Sequence, residues 1–546
     1  MNKMVKTSAL LSTAVILGSS FAVVPASAAT YKTIKWSESA DLTTMDPSAA
    51  TDTVAFDALQ ATGEGLYRSG KNGKPALALA KSVTKSDDGL TYTFKLRSGL
   101  KWADGSSLTA QDFVYGWQRT NNPKTASQYA YLFSGIKNAD AIQAGKETDL
   151  SKLGVEAKDD TTLVVTLEKQ MPQLASVLTM APFYPQSKTF NEKAGKKLGT
   201  AAKYSLSNGP FILKGWNGSN SKYSFVKNPN YWDASAVKSK KITVQTIKDQ
   251  NTGYNLFKGG KLDYTTLSSD QVKASKKNKN YVNYPQASSF YLDFGRKQVS
   301  AFKNLKIRQA FSYAIDRQTF ADKILTGSGK AAYSFTSAGL AKDPNTGKDF
   351  AKSARVKGAI SYDKKKAAKL WKQGLKQVST AEAKRVKNIT ILTDDTDGAK
   401  KSAQFLQSQL QNNLKGLKVS IKTVPFKQRL SLSQSKKFDV VISAWGADYA
   451  DPSTFLDLFK SDSSFNNGGW ANAAYDKAET KATTTDAGND KARYADYKEA
   501  EQIIEKEVGV APLYYQSYPT LTSNKVKGVI AHSVGAKFDW KYAYKK

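Results

Sequence analysis

Residues 438–459 read FDVVISAWGADYADPSTFLDLF. The first eight, from Phe438 to Trp445, are almost continuously apolar. That pattern fits a strand buried on both faces, unlike the alternation of a half-solvated sheet. Upstream, a helical pattern at 364–376 precedes a strand-like run at 389–393. A second helix at 399–414 precedes a strand at 419–424, and a late helix follows at 494–508. Helices and strands alternating across 290–515 predict a layered α/β domain. From Trp445 onward the composition changes. Asp448, Asp451 and Asp457 occur there with no lysine or arginine, in a chain with 81 basic and 47 acidic residues. A carboxylate kept in that setting is placed to meet a cation arriving from outside. For Asp451 the plainer role leads: an aspartate before Pro452 begins a turn or helix. Asp457 reads as a solvated helix residue.

Ahead of residue 290 the elements are shorter and mixed. In 90–99, Tyr92, Phe94 and Leu96 face one way and Thr91, Thr93, Lys95 and Arg97 the other, which predicts a half-buried strand. Thr109 with Asp112 fits a capping box, and Phe113, Val114 and Trp117 follow at helical spacing. Further strands are expected at 161–169 and 240–248. One long helix is expected over 304–325, with Leu305, Ile307, Ala310, Phe311, Ala314, Ile315, Phe320 and Ile324 on its apolar face.

The first 28 residues carry Lys3 and Lys6, a sixteen-residue apolar run at 9–24 and an A-x-A site at 26–28. This is the pattern of a secretory signal peptide, so the exported chain is expected to begin near Ala29. No cysteine is present. Disulfides are therefore excluded, as is a thioether lipid anchor at the cleavage point. Removing residues 1–28 leaves 518 of 546, enough for two or three domains with sizeable cores.

The formal charge is +34, and +32 without Lys3 and Lys6. Only ten of the 81 basic residues are arginine. Lysine is the hydrated, flexible cation and arginine the planar reader of phosphates and bases. Two readings stay open: a solvated lysine coat, or adhesion to an anionic cell-wall polymer. No nucleic-acid partner is expected, because runs such as 364–366 lack interleaved aromatics and match no known module.

Catalysis is hard to assemble from this inventory. His532 is the one histidine, in an expected loop at 529–534, and no G-x-S-x-G elbow accompanies it. A metal centre lacks its usual Cys and His ligands. The run DDTDG at 394–398 lacks the closing glutamate of a calcium loop and reads as a turn. No enzyme, cofactor or metal is expected. The 27 tyrosines, 24 phenylalanines and nine tryptophans instead suit a protein that encloses something.

Several stretches carry a family resemblance. They are LTTMDP (42–47), GEGLY (63–67), LTYTFKLRSGLKWADGSSLTAQDFVYGWQR (90–119), SNGPF (207–211), KNPNYW (227–232), NLKIRQAFSYAIDR (304–317) and the 438–459 stretch. In this order they resemble the extracytoplasmic oligopeptide-binding proteins of ABC importers, solute-binding family 5. The resemblance implies a two-lobed α/β fold of the periplasmic-binding-protein type II, or Venus-flytrap, kind with an extra inserted domain. Lobe I would combine 29–65, 205–287 and 515–546, the inserted domain 66–204, and lobe II 288–514. Crossings near 287 and 515 would form the hinge.

The resemblance also implies a site. Asp448 would meet the peptide's α-ammonium, and Trp445, Ala444, Gly446 and Tyr449 would flank its backbone. Phe426, Tyr129 from the inserted domain, Thr51, Thr53 and Tyr514 would complete the cleft. The expected partners are an oligopeptide and the permease subunits, with the binding protein itself a monomer. Some relatives hold the peptide carboxylate with a basic residue in the strand before the tryptophan. Here that strand reads Val440-Val441-Ile442-Ser443, and Ser433 stands at another such place. No clamp is evident, so longer or more hydrophobic peptides are expected. Gly446 and Ser288 stand where some relatives have a disulfide. Other cargo, such as nickel or sugars, and a basic surface adhesin that has kept the fold remain as alternatives. Scarce histidine argues against nickel.

Overall fold

The computed structural model describes residues 31–70 and 73–546. The signal-peptide segment lies outside the described residues.

The sheets explain how distant parts of the chain meet. Ile34–Glu38 pairs in parallel with Lys241–Thr246, which continues antiparallel to Lys222–Lys227 and Phe211–Lys214. A second four-stranded sheet, wholly antiparallel, runs in the order Ala80–Lys85, Thr91–Leu96, Thr162–Thr166, Val155–Asp159. It lies within the segment expected as an insertion. In Thr91–Leu96, Phe94 and Leu96 are buried and Lys95 is exposed, as the alternation requires. The helix Ala110–Asn121 starts at the expected capping box, where the Thr109 N–H donates to the Asp112 carboxylate at 2.8 Å. Its Trp117 is fully buried between Phe133 and Phe183.

The third sheet is seven-stranded and mixed. The parallel strands Lys418–Val424, Asn388–Asp394 and Val440–Gly446 form one side. The long strands Tyr281–Phe294 and Ala511–Thr522 continue it antiparallel, and the short strands Tyr264–Thr266 and Gly329–Ala331 both pair with Ala511–Thr522 at the far edge. Between these long strands the register shifts between Pro285 and Ser289, opposite Ser517 and Tyr515. A register shift bends and twists a ladder locally.

The helices Lys364–Leu375, Asp397–Asn413 and Asp490–Glu507 form close to their expected places. The expected helix over 304–325 does not form as one rod. It breaks into Leu305–Tyr313, Arg317–Thr319 and a wider-turned segment Phe320–Leu325. Asp316 causes the break: its carboxylate caps a new start by accepting from the Thr319 N–H at 3.0 Å. Arg317 then donates to the Ser312 and Ile315 carbonyls, satisfying backbone left open by the interruption.

Two large apolar cores result. The smaller packs Leu292, Phe311, Trp371, Leu406 and Leu513 around the parallel side of the seven-stranded sheet. The larger runs from Trp36 through Trp117 and Phe211 to Trp540. It also takes in Phe455, Tyr475 and Tyr497, which lie in the segment expected for the second lobe. The C-terminal tail is tied to the N-terminal segment by buried ion pairs: Lys537 to Glu38 at 3.1 Å and to Asp57 at 3.3 Å, and Arg68 to Asp539 at 2.7 Å.

Candidate functional site

A cavity of about 350 Å³ opens beside the strand Val440–Gly446. The strand's pairing explains why it opens there. On one side it is paired along its whole length, from Val440 opposite Phe294 to Gly446 opposite Ser288. On the other side only Val440 and Val441 have partners, Ile391 and Leu392. Beyond Val441 that edge has no ladder partner among the described residues, and Ile442 through Asp448 line the cavity. An extended chain with its own N–H and C=O groups is the natural complement of such an edge.

Asp448 stands just past the strand's end. Its backbone N–H donates to the Thr454 hydroxyl at 2.9 Å, which fixes the turn. Its side chain is buried, with the residue 6% exposed. Oδ1 accepts from the Tyr129 hydroxyl at 3.1 Å, while Oδ2 is buried with no hydrogen-bond partner. Burial pushes its pKa up to about 8, and the Tyr129 bond offsets this only in part. A half-satisfied carboxylate out of water is costly until a cation or donor completes it.

Aromatic rings enclose this group. Tyr129 stacks on Trp445 with centroids 6.1 Å apart, and Phe465 meets both rings edge-on, at 5.3 Å from Tyr129 and 4.8 Å from Trp445. Further along, Phe290 stacks on Tyr514 at 4.5 Å. Opposite lies the helix Phe426–Gln434, whose Phe426, Arg429, Leu430, Ser433 and Gln434 line the cavity. That spacing is one helical face.

Polar contacts join segments across the cleft. Lys248 Nζ bridges Asp41 at 2.9 Å and Asp395 at 3.0 Å. Gln128 Nε2 donates to the Ser464 carbonyl at 3.2 Å and Gln434 Nε2 to Gln128 Oε1 at 2.6 Å.

Nine of the ten residues singled out from sequence line this cavity: Asp448, Trp445, Gly446, Ala444, Phe426, Tyr129, Thr51, Thr53 and Tyr514. Tyr449 does not. Its hydroxyl sits 3.1 Å from the Ser453 hydroxyl, and it lines a separate cavity of about 920 Å³. Asp451 caps locally as expected, accepting from the Ser453 N–H at 3.1 Å, and also pairs with buried Arg493 at 2.5 Å. Asp457 is not the solvated residue expected. It is partly buried beside Glu479, and burial raises its pKa. His532 is buried away from the cleft lining, and burial lowers its pKa. The DDTDG run is a strand end and a helix start, with Thr396 as the cap. Among the described residues no cluster of His, Cys, Asp or Glu is arranged to hold a metal, and no helix is long and apolar enough to cross a membrane.

Sequence reasoning missed Phe290, Phe465 and Arg429. For Arg429 a signal existed: it lies three residues after Phe426, on the same helical face.

Residues 74–467 match the family model described as bacterial extracellular solute-binding proteins, family 5 Middle. A dipeptide-binding protein of Lactococcus lactis is 41% identical over 529 residues, covering 94% of each chain. The structure of Listeria monocytogenes OppA bound to peptide superposes with a TM-score of 0.89 at 38% identity, covering 94% of this chain and 99% of that one. The Escherichia coli murein tripeptide binding protein MppA gives 0.85 at 28% identity, covering 95% and 99%. The unliganded open form of MppA gives only 0.61, at the same identity and with 95% and 98% covered. The mixed α/β sheets, the two cores and the family match agree: this chain is a two-lobed member of the bacterial extracellular solute-binding proteins, family 5.

Proposed function

We propose that this protein captures oligopeptides in the cleft and delivers them to the permease of an ABC importer. The observation that carries the reading is Asp448, with its buried, unpartnered Oδ2 at the end of a strand whose edge is open. A peptide's α-ammonium completes the carboxylate, and its backbone adds to the free edge of residues 442–446. Main-chain pairing reads every sequence alike, and side chains are left to the surrounding space. The relatives named for dipeptides and peptides support this substrate class.

In this reading the lobes have the boundaries expected from sequence, with the inserted domain at 66–204 supplying Tyr129. The register shift near Pro285 and Ser289 supports a hinge where the long strands cross. The protein works outside the membrane as a monomer. Its charge of +32 once Lys3 and Lys6 are removed supports retention near anionic wall polymers as an accessory property, separate from the cleft.

Titration calorimetry with tetra-alanine, carrying a free or an acetylated N-terminus, tests the reading on the native protein and on Asp448→Asn. Free tetra-alanine is expected to bind, and either change to weaken it by about 2–5 kcal/mol, the usual loss for a buried charge pair. Equal binding of the free and acetylated forms removes Asp448 from its role. No peptide binding at all removes the function.

A further inference from the structure

We propose that the helix Lys364–Leu375 is the surface on which this protein holds a linear phosphate polymer, such as a polyol phosphate of the cell wall. The inference rests on the retention reading above and deepens it; it is independent of peptide capture.

The positive charge of the chain is not spread evenly. Residues 352–387 carry twelve lysines and arginines against two acids, Asp363 and Glu382. That net +10 is almost a third of the exported chain's +32, held in 36 residues of 518. Both acids are engaged at helix starts. Asp363 accepts from the Lys366 N–H at 2.9 Å, and Glu382 from the Ser379 N–H at 3.0 Å and the Ser300 hydroxyl at 2.6 Å. Of the twelve cations only Arg385 forms an ion pair among the described residues, with Asp439.

Within this segment the lysines form a line. Lys365, Lys369, Lys372 and Lys376 follow one another at steps of four, three and four residues, which is one face of a helix, and all four are exposed. At a helix's rise the first and last lie roughly 16 Å apart, with about one cation every 5–6 Å. The opposite face belongs to the fold: Ala367, Trp371 and Gly374 are buried, Trp371 meets Phe311 edge-on at 5.9 Å, and a Cβ at Gly374 would come within 2.6 Å of Ile307. The line works against its own helix. Like charges three and four residues apart repel. Lys364, Lys365 and Lys366 also stand at the positive end of the helix dipole, where the first turn has no acid. A chain of anions lying along the helix relieves both repulsions.

A bilayer is a poorer match, because the apolar face is already used and Tyr362 is the one large exposed hydrophobic side chain of this segment among the described residues. Lysine suits a phosphate chain as a point charge that follows it without reading bases. No residue of 352–387 lines the cleft, so polymer and peptide can be held together.

The test is binding of end-labelled linear polyphosphate, followed by fluorescence anisotropy from about 50 to about 200 mM salt. The native protein is expected to bind, with affinity falling steeply as salt rises. Replacing Lys365, Lys369, Lys372 and Lys376 together by glutamine is expected to lower the slope of log affinity against log salt by about three, the counterion release of four phosphate contacts on a single strand. The same replacement at four scattered exposed lysines, Lys101, Lys214, Lys261 and Lys527, is expected to change it by less than about one. The helix variant is expected to melt no lower than the native protein and to bind tetra-alanine equally. If both variants lose the same slope, the charge acts as a uniform coat: retention stands and this surface falls. If vesicles of phosphatidylglycerol bind and polyphosphate does not, the partner is a lipid surface and the inference is overturned. If neither binds, retention by charge falls as well, and peptide capture is untouched.

Discussion

Proton release on binding offers the sharpest test of Asp448. Burial places its pKa near 8, so at pH 7 about nine-tenths of the carboxyl groups carry a proton in the ligand-free cleft. Pairing with an ammonium requires the carboxylate, so that proton must leave. Ionising the group costs about 1.4 kcal/mol at pH 7 and about 2.7 kcal/mol at pH 6. Peptide affinity is therefore expected to rise about tenfold from pH 6 to pH 7 and to level off near pH 8. Above that the ligand's own α-amino group, with an ordinary pKa of about 7.7–8.0, loses its charge and affinity falls again. At pH 7 that amine takes up about a tenth of a proton, leaving a net release of about 0.8 proton per peptide. Titrating tetra-alanine in phosphate and in Tris at pH 7 measures the number directly, because the two buffers absorb protons with very different enthalpies. Asp448→Asn is expected to abolish the release. A native binding enthalpy equal in both buffers, with affinity flat from pH 6 to pH 8, refutes the assignment of Asp448 as the ammonium's partner.

The same group gives a stability prediction of defined sign. Its folded pKa lies above its unfolded value of about 3.9, so its penalty is absent below about pH 4, grows with pH and is complete above about pH 8. Asp448→Asn is expected to raise the melting temperature of the ligand-free protein at pH 8.5 and to change it little at pH 4, and the reverse order counts against burial as the cause. A second variant tests the scaffold: a Cβ at Gly295 collides with the Phe438 carbonyl oxygen, where the cleft strand enters the sheet. Gly295→Ala is expected to lower stability by about 1–3 kcal/mol in urea titration, and an unchanged midpoint contradicts the packing described.

Local signals were legible where local physics decides the outcome. Alternation gave the strand at Thr91–Leu96, and the Thr109–Asp112 pair gave a helix start. The apolar run ahead of Trp445 gave the buried strand that carries Asp448. The break at Asp316 was also written locally, as an aspartate three residues before Thr319, but the apolar periodicity through it masked the cap. Tyr449 follows Asp448 in the turn beyond the strand Val440–Gly446, where its hydroxyl is drawn to Ser453 and away from the cleft lining. Arg429 was harder. Lys427, Lys436 and Lys437 surround it in sequence, so it reads as part of a solvated basic face. Only the docking of its helix across the sheet takes it out of water. Phe465 stands in a polar turn, SDSSFNNGG, and becomes part of the aromatic enclosure only because Gln128 and Ser464 bring two distant segments together.

The bridges from Lys248 to Asp395 and from Gln128 to Ser464 and Gln434 also shape the kinetics of capture. In the proposed capture they span the way a peptide would enter, so entry is expected to wait on their rupture. Each bond is weak and partly exposed, and rupture needs no large barrier. Uptake then follows two steps, a spontaneous opening and a bimolecular encounter. At high peptide concentration the observed rate saturates at the rate of opening, a ceiling set by these few side chains and independent of which peptide is caught.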